Sequence, residues 1–278
     1  ISVLKDLVLG RVVAAPRFLL QPALRLRNLD HVLGNGKMSP FGCYFVALGT
    51  VVPPTDCEDA ARLAQEVLLD GLGVERDRLV VRASSLDPDL LAIAATLDIP
   101  TEIDGYEQRR YRHSFGNAGF TGRNINFAID VRGTFCDVGN LILLYLDDEL
   151  RGVEVAFGIN NMIACRDEAA HPVLTSAAAA AIAHGVTSPL ALDCLSSCAA
   201  LALDGLRPVA RGRGGRMRDF LRLLKDEIPD VGIRNQSIAA TLRSEVEVRQ
   251  AISPLSAGIS ELSEAAAYDL VVSALDRI

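Results

Sequence analysis

The stretch that decides the fold is residues 112–161, which read RHSFGNAGFTGRNINFAIDVRGTFCDVGNLILLYLDDELRGVEVAFGINN. Residues 124–131 alternate polar and apolar side chains, which is typical of a strand with one buried face. Residues 138–146 form an apolar run that only a glycine and an asparagine interrupt. After Gly158 the alternation ends and apolar residues take helical spacing. The stretch therefore predicts two or three antiparallel strands that lead into a helix.

Polar residues inside and between these strands carry further information. The pairs at 147–148 and 151–152 are interpreted as hairpin turns. Asn140 lies in the middle of a strand, where an unsatisfied buried amide costs about 1–3 kcal/mol. We therefore expect Asn140 to have a hydrogen-bond partner. Glu154 occupies a similar position in the next strand, and alternation allows both side chains to converge on one face.

Composition limits the classes of function. Of the 278 residues, 50% are hydrophobic, which is enough for one large domain or two moderate ones. The formal net charge of -7 argues against a broadly basic surface, so any nucleic-acid site must be a local patch. No apolar run of about 18 residues and no basic-then-apolar leader occur, so we expect a cytoplasmic protein without a membrane partner.

The cysteines indicate reduced thiols rather than a disulfide framework or a metal centre. The chain has six, and none belongs to a CxxC pair. Cys194 and Cys198 share one helix face, but a structural zinc site needs further ligands nearby, and the sequence offers none. We therefore predict no metal.

Three segments resemble the catalytic domain of alanyl-tRNA synthetases, which are class II aminoacyl-tRNA synthetases. They are GNAG at 116–119, DVGNL at 137–141 and EVAFGINN at 154–161. The family has a GNAG- or GPCG-like loop before a strand, an E-x-x-N-L-hydrophobic strand, and a D-T-G-x-G-L-E-R segment as motif 3. The resemblance implies an α+β fold, with a class II synthetase-like antiparallel sheet flanked by helices and followed by an all-helical domain. We expect the catalytic domain over residues 1–172 and the helical domain over 173–278.

An upstream segment extends the resemblance. Residues 18–32, FLLQPALRLRNLDHV, resemble the start of the family's motif 2, and Arg25 takes the position of the arginine that holds the ATP α-phosphate. The resemblance implies a catalytic role for Arg25, a motif 2 loop over residues 28–40 and a returning strand over 41–48. Because the sequence starts at Ile1 rather than Met, we expect the segment that carries motif 1 to precede it.

Residues that the family uses to hold ATP differ here. Cys43 or Val46 stands in place of the motif 2 glutamate, Asn126 in place of the metal-side glutamate, and Asn161 in place of the motif 3 arginine. Polyphosphate with magnesium cannot be held in the usual way without these groups. We therefore expect no cofactor, with ATP and magnesium as the alternative.

The residues that hold the substrate alanine in the family are better kept. Asn140 is retained, and Glu154 replaces an aspartate that pairs with the ammonium group. An idle pocket is not expected to keep a buried carboxylate, because an unpaired buried charge is costly. The resemblance thus implies an amino-acid site, to which we also assign Asp137 and Gly158.

The C-terminal region resembles the family's helical domain that recognises the tRNA acceptor stem. Its positive charges concentrate around RGRGGRMR at 211–218, in an otherwise acidic chain. Arginine suits bidentate contacts to phosphate. The predicted tRNA-binding residues are Arg207, Arg211, Arg213, Arg216 and Arg218, with Arg222 close by.

Three functions compete on these grounds. The replaced residues argue against an ordinary alanyl-tRNA synthetase. They permit a catalytically inactive pseudo-synthetase that binds tRNA or a partner. The retained amino-acid site favours an aminoacyltransferase of specialised metabolism, which passes alanine from alanyl-tRNA to a small, nucleoside-like acceptor; an ATP-dependent ligase is the variant of this hypothesis. His31 and His113 are candidate bases with structural roles as the alternative. The oligomeric state stays open, with a homodimer among the alternatives.

Overall fold

The computed structural model describes residues 5–105, 108–115, 119–252 and 262–278. Its contacts group into two units. The first comprises Ile1–Leu19 and Ala47–Glu168, and the second comprises Leu20–Val46 and Ala169–Ile278. These units are groups of contacts rather than functional domains, so the division at residues 172 and 173 stays a prediction.

The predicted α+β class is confirmed. The strands are β1 (Arg17–Leu24), β2 (Tyr44–Val52), β3 (Leu79–Ser84), β4 (Thr101–Asp104), β5 (Arg112–Ser114), β6 (Phe120–Val131), β7 (Thr134–Leu146) and β8 (Glu149–Gly158). The α-helices are α1 (Lys5–Gly10), α2 (Leu26–Asn35), α3 (Cys57–Glu66), α4 (Pro88–Ala94), α5 (Ile159–Arg166), α6 (Pro189–Leu203), α7 (Gly212–Glu227), α8 (Val231–Ile252) and α9 (Glu264–Asp276).

The eight strands form one mostly antiparallel sheet in the order β1-β2-β8-β7-β6-β3-β4, with β5 paired to β6. β3 and β4 are parallel, and the connection between them contains α4. β6, β7 and β8 follow one another as hairpins, because the alternation and the apolar run seen in the sequence suit paired strands. The strand at 124–131 and the helix after Gly158 are confirmed as parts of β6 and α5.

One of the two predicted hairpin turns is confirmed, and the other is wrong. Asp147 and Asp148 have φ values of 49° and 65° and connect β7 to β8. Residues 151–152 instead lie inside β8, where the pairing with β7 shifts register. A Cβ atom on Gly152 would lie 2.8 Å from Val13 Cγ2, so this glycine permits a close approach rather than a turn.

The predicted motif 2 loop over residues 28–40 is also wrong, because most of it is helix α2. Leu29 and Val32 have the spacing of one helix face, and both are buried. Gly36 ends the helix with a φ of 65°, and its N–H donates to the carbonyl of Val32. The glycines of this segment therefore terminate a helix.

In the first unit, one face of the sheet packs against α3, α4 and α5. Its core includes Phe127, Leu141 and Val155 from the central strands, together with Leu90 of α4 and Met162 of α5. Because side chains alternate along a strand, the residues between these project from the opposite face. That face carries the polar residues described below.

In the second unit, α6 is buried along most of its length. Phe220 of α7, Leu242 of α8 and Val271 of α9 belong to the same hydrophobic core as α6. In the described ranges, no helix is both long enough and sufficiently apolar to cross a bilayer.

Candidate functional site

Polar side chains from four neighbouring strands share one face of the sheet in the first unit. Asn126 of β6 pairs with Asn140 of β7, and Ile142 of β7 pairs with Glu154 of β8. Paired residues project from the same face, and residues two apart along a strand do so as well. The predicted placement of Asn140 and Glu154 on neighbouring strands and one face is therefore confirmed. We call this set the asparagine face; its members are Arg82, Asn124, Asn126, Asp137, Asn140 and Glu154.

A row of amides crosses the asparagine face. Asn126 Oδ1 accepts hydrogen bonds from Nδ2 of Asn124 at 2.5 Å and from Nδ2 of Asn140 at 2.6 Å. The expected partner of Asn140 is thus Asn126, on the neighbouring strand. Asn140 is half-buried, and its Oδ1 accepts no hydrogen bond from a described residue. This oxygen remains available to a ligand.

Asp137 is engaged by two arginines. Arg82 Nη1 lies 3.0 Å from Oδ1 of Asp137, and Arg110 Nε lies 3.1 Å from Oδ2. Asn126 Nδ2 also donates to Oδ2 at 3.3 Å, and Asn161 Nδ2 donates to the carbonyl of Asp137 at 2.8 Å. Asp137 therefore ties strands β3, β6 and β7 together, and its contact with substrate stays a prediction.

Sequence reasoning missed Arg82 and Arg110. Arg82 lies within the apolar strand LVVRAS, which is the one signal that could have drawn attention to it. Its Nε also donates to Glu102 of β4 at 2.7 Å. The sequence offers no comparable signal for Arg110.

The row of the sheet that contains Asn140 carries small residues. Ala156 pairs with Asn140, and Gly49 of β2 pairs with Ala156, so the next two positions along this row carry at most a methyl group. Glu154 is buried, with 5% of its surface exposed, and takes part in an interaction within the protein. Gly158 lies on the same face at the end of β8 and is the residue before the first turn of α5.

Three buried polar atoms near the asparagine face have no hydrogen-bond partner among the described residues. They are Asn124 Oδ1, His113 Nε2 and the hydroxyl oxygen of Tyr111. His113 pairs with Gly122, two residues before Asn124, so both side chains project from one face. An unpaired buried polar atom costs about 1–3 kcal/mol, so a bound polar group that reached these atoms would be stabilised.

Burial also shifts the pKa values of His113 and Tyr111. Desolvation lowers the pKa of His113, an effect that the nearby Asn124 amide opposes. Desolvation, followed by the charge of Asp104, raises the pKa of Tyr111 to about 12. Near neutral pH, His113 is therefore a neutral imidazole that can accept a proton.

Part of the segment that resembles the family's GNAG loop, residues 116–118, lies outside the described residues. Gly119 has a φ of 74°, and its carbonyl accepts a hydrogen bond from the N–H of Asp147 at 3.0 Å. The glycine at this position is thus required by a left-handed backbone conformation.

Arg25, the predicted catalytic arginine, belongs to the second unit and precedes α2. Its backbone N–H donates to the carbonyl of Cys43 at 2.8 Å. The guanidinium lies over the rings of Phe45 and Phe41, with 4.6 Å and 5.6 Å to the centroids. Desolvation by these neighbours lowers the pKa of Arg25, although the residue as a whole is exposed. It remains a cation that is held by aromatic faces, and its catalytic role stays a prediction.

The predicted tRNA-binding arginines lie before and within the first two turns of α7. A cavity of about 250 Å³ is lined by Arg211, Arg216, Arg218 and Arg222, with Asp219. Arg216 pairs with Asp30 at 2.8 Å, and Arg222 lies 3.4 Å from Asp219. In the part of the chain that the structure describes, the four others make no salt bridge. These are Arg207, Arg211, Arg213 and Arg218.

A second polar cluster in the same unit is fully bonded. Asp193 of α6, 1% exposed, accepts hydrogen bonds from the backbone N–H groups of Cys43 at 2.8 Å and Tyr44 at 3.0 Å. The hydroxyl of Tyr44 donates to Glu245 at 2.7 Å, and Arg249 Nε donates to the other oxygen of Glu245 at 3.1 Å. Burial raises the pKa of both carboxyl groups, and their hydrogen bonds oppose this shift.

Comparisons with known proteins do not assign the site. No model of a known protein family matches the chain, and no curated protein matches it. Within the described ranges, no three His, Cys, Asp or Glu residues are arranged to hold a metal ion. The resemblance to alanyl-tRNA synthetases therefore rests on the motif residues alone.

Proposed function

We propose that the protein is an alanyl-tRNA synthetase-like aminoacyltransferase. It takes alanine from alanyl-tRNA and passes it to an amine or hydroxyl group of a small, nucleoside-like acceptor. The observation that supports this proposal is the position of Asn140 and Glu154 on one face of neighbouring strands, with Ala156 and Gly49 next to Asn140 in its row of the sheet.

The asparagine face would hold the alanyl group by its ammonium. Asn140 Oδ1 offers one acceptor. Glu154 offers a carboxylate, which can accept several hydrogen bonds and so accommodates a ligand beside its interaction within the protein. Ala156 and Gly49 leave room beside Asn140 for the methyl side chain of alanine.

The reaction needs no separate activation step, because alanine in alanyl-tRNA is already an ester. The acceptor's nitrogen or oxygen forms a bond to the carbonyl carbon, and the ester bond to the tRNA ribose breaks. The proton that leaves the acceptor ends on the ribose oxygen. The resemblance gives Arg25 the position of an arginine that holds phosphate charge, and we assign it a matching role in stabilising negative charge during the transfer.

The arginines around α7 would bind the tRNA acceptor stem. Arg207, Arg211, Arg213 and Arg218 make no salt bridge in the described structure, so phosphate does not have to displace a carboxylate from them. A local cluster of this kind is compatible with the net charge of -7, because short-range phosphate contacts are screened from distant acidic residues.

One observation favours a second candidate, a pseudo-synthetase that binds tRNA without catalysis. Asp137 is paired to Arg82 and Arg110, and Asn126 Oδ1 already accepts two side-chain amide hydrogen bonds. Two of the polar groups on the face thus serve the protein itself. Transfer activity separates the two candidates.

The deciding experiment mixes the full chain with alanyl-tRNA that is radiolabelled in alanine and measures loss of label from the tRNA to small nucleosides. Glu154→Gln keeps the shape and removes the charge. We expect it to lower transfer roughly 10- to 150-fold, which corresponds to about 1.5–3 kcal/mol for a hydrogen bond to a charged group. Glu149→Gln, on the same strand but exposed, is the matched control.

Three outcomes would contradict the proposal in different ways. If Glu154→Gln retained full transfer activity, the assignment of the amino-acid site to Glu154 would be wrong. Tight tRNA binding without any transfer would favour the pseudo-synthetase. In that case the double variant Arg211→Ala, Arg218→Ala should weaken tRNA binding and lower, by about two, the slope of log affinity against log salt concentration. Rapid alanine-dependent ATP–pyrophosphate exchange would favour an ATP-dependent ligase.

A further inference from the structure

A cavity of about 320 Å³ lies in the second unit. The end of β1 and the start of α2 form one wall, through Pro22, Leu24 and Leu26. The end of α6 forms another wall, through Ala200 and Leu201. Its volume falls at the lower end of the range of roughly 300–1,000 Å³ for small-molecule sites, and these walls are apolar.

Three charged residues line the same cavity: Asp204 of the α6 end, and Arg213 and Arg216 of α7. Asp204 is fixed by Arg249, whose Nη1 lies 2.6 Å from Asp204 Oδ1. Arg249 is itself buried, with 8% of its side chain exposed, and donates to the carbonyl of Ala200 at 3.0 Å. Asp204 is thus an acceptor whose position is set by a buried network.

Among the described residues that line the cavity, one cation has no carboxylate partner. Arg249 faces Asp204, and Arg216 lies 2.8 Å from Asp30 and 3.7 Å from Asp219. Arg213 has no salt bridge in the described structure. A ligand that fits the cavity therefore brings an anionic group for Arg213.

We infer that this cavity binds one nucleoside monophosphate unit, with its phosphate on Arg213 and Arg216 and its ring against the apolar walls. A nucleotide combines the three features that the lining requires. It has a bidentate anion for arginine, a flat ring, and hydroxyl or amino donors for Asp204. An apolar carboxylate would lack the donor, and an uncharged nucleoside would leave Arg213 without a partner. The inference does not depend on the proposed transfer of alanine.

The test measures equilibrium binding of AMP and of adenosine to the full chain, without tRNA. AMP should bind at least about tenfold more tightly than adenosine, because charge-assisted contacts to phosphate are among the stronger hydrogen bonds. Arg213→Gln should remove that preference and leave adenosine binding within about threefold. Arg222→Gln, on the same helix but outside this cavity, should retain the wild-type preference.

A second variant tests the apolar part separately. Ala23→Leu fills space in the cavity and should weaken AMP and adenosine alike. A short single-stranded RNA serves as the second probe. If AMP displaces the RNA, and Arg213→Gln weakens the binding of AMP and of RNA, the site takes free nucleotides. If Arg213→Gln weakens the binding of RNA alone, the nucleotide that the site takes is part of an RNA chain. Equal binding of AMP and adenosine, or no effect of Arg213→Gln on either probe, would overturn the inference.

Discussion

Two buried carboxylates in one region of the molecule have all their oxygens hydrogen-bonded, whereas buried polar atoms in another region have no partner among the described residues. Around Asp193 and Glu245, in the helical unit, each carboxylate oxygen accepts at least one hydrogen bond. Beside the asparagine face, Asn124 Oδ1 and His113 Nε2 are buried with no partner in the described structure. A saturated buried group fixes the fold, whereas an unsaturated one leaves free energy to be gained by a ligand or by a change of protonation. Mutations should therefore act on stability in the first region and on both stability and binding in the second.

The largest expected effect is that of Asp193→Ala. The change would leave the N–H groups of Cys43 and Tyr44 buried without an acceptor. At about 1–3 kcal/mol for each of the two unsatisfied donors, we expect a loss of roughly 2–6 kcal/mol in the free energy of unfolding. Urea denaturation followed by circular dichroism measures it. Asp226→Ala, an exposed position on α7, serves as the control. A loss below about 1 kcal/mol would mean that this cluster is not what holds the start of β2.

An intermediate effect is expected from Asn126→Leu. The change removes the acceptor of two amides, Asn124 and Asn140, and the donor to Asp137. Because Asn140 is half-buried and can turn to water, we expect a loss of about 1–3 kcal/mol, less than for Asp193→Ala. The same denaturation measurement applies, with Ser114→Ala on the exposed end of β5 as control. If Asn126→Leu instead stabilised the protein, the amide row would be maintained for binding alone.

The sequence predicted the central hairpins and the helix after them because a period of two and an apolar run are local signals. It did not predict α2, because Gly34 and Gly36 are typical of a loop, whereas the helical signal is limited to the spacing of Leu29 and Val32. The contact between Asn126 and Asn140 depends on the register of β6 and β7, which includes a shift between Phe127 and Ala128. Register of this kind is set by the turn and the packed face together.

The candidate site was also predicted only in part, because contacts between residues distant in the chain have no local sequence signal. Asn140 and Glu154 were identifiable as polar residues within apolar strands. The partners of Asp137 were not, because Arg82 comes from a strand 55 residues earlier in the chain. The unpaired atoms of His113 and Asn124 were not predictable either, because the absence of a partner depends on how every neighbouring element packs.

The smallest expected effect concerns His113 and the pH. Desolvation lowers its pKa in the folded protein below the ordinary value of about 6.5, so the unfolded chain binds more protons between the two pKa values. The contribution of neutral His113 to the free energy of unfolding is therefore complete above about pH 6.5. It is lost as the pH falls through the folded-state pKa. The free energy of unfolding of the wild type should thus fall, relative to that of His113→Gln, by at most about 1.4 kcal/mol for each pH unit below pH 6.5. His31→Gln, at an exposed position, is the matched control. Parallel pH curves for the wild type and His113→Gln would show that the imidazole finds a partner in solution, and the contrast between the two regions would then be confined to Asn124.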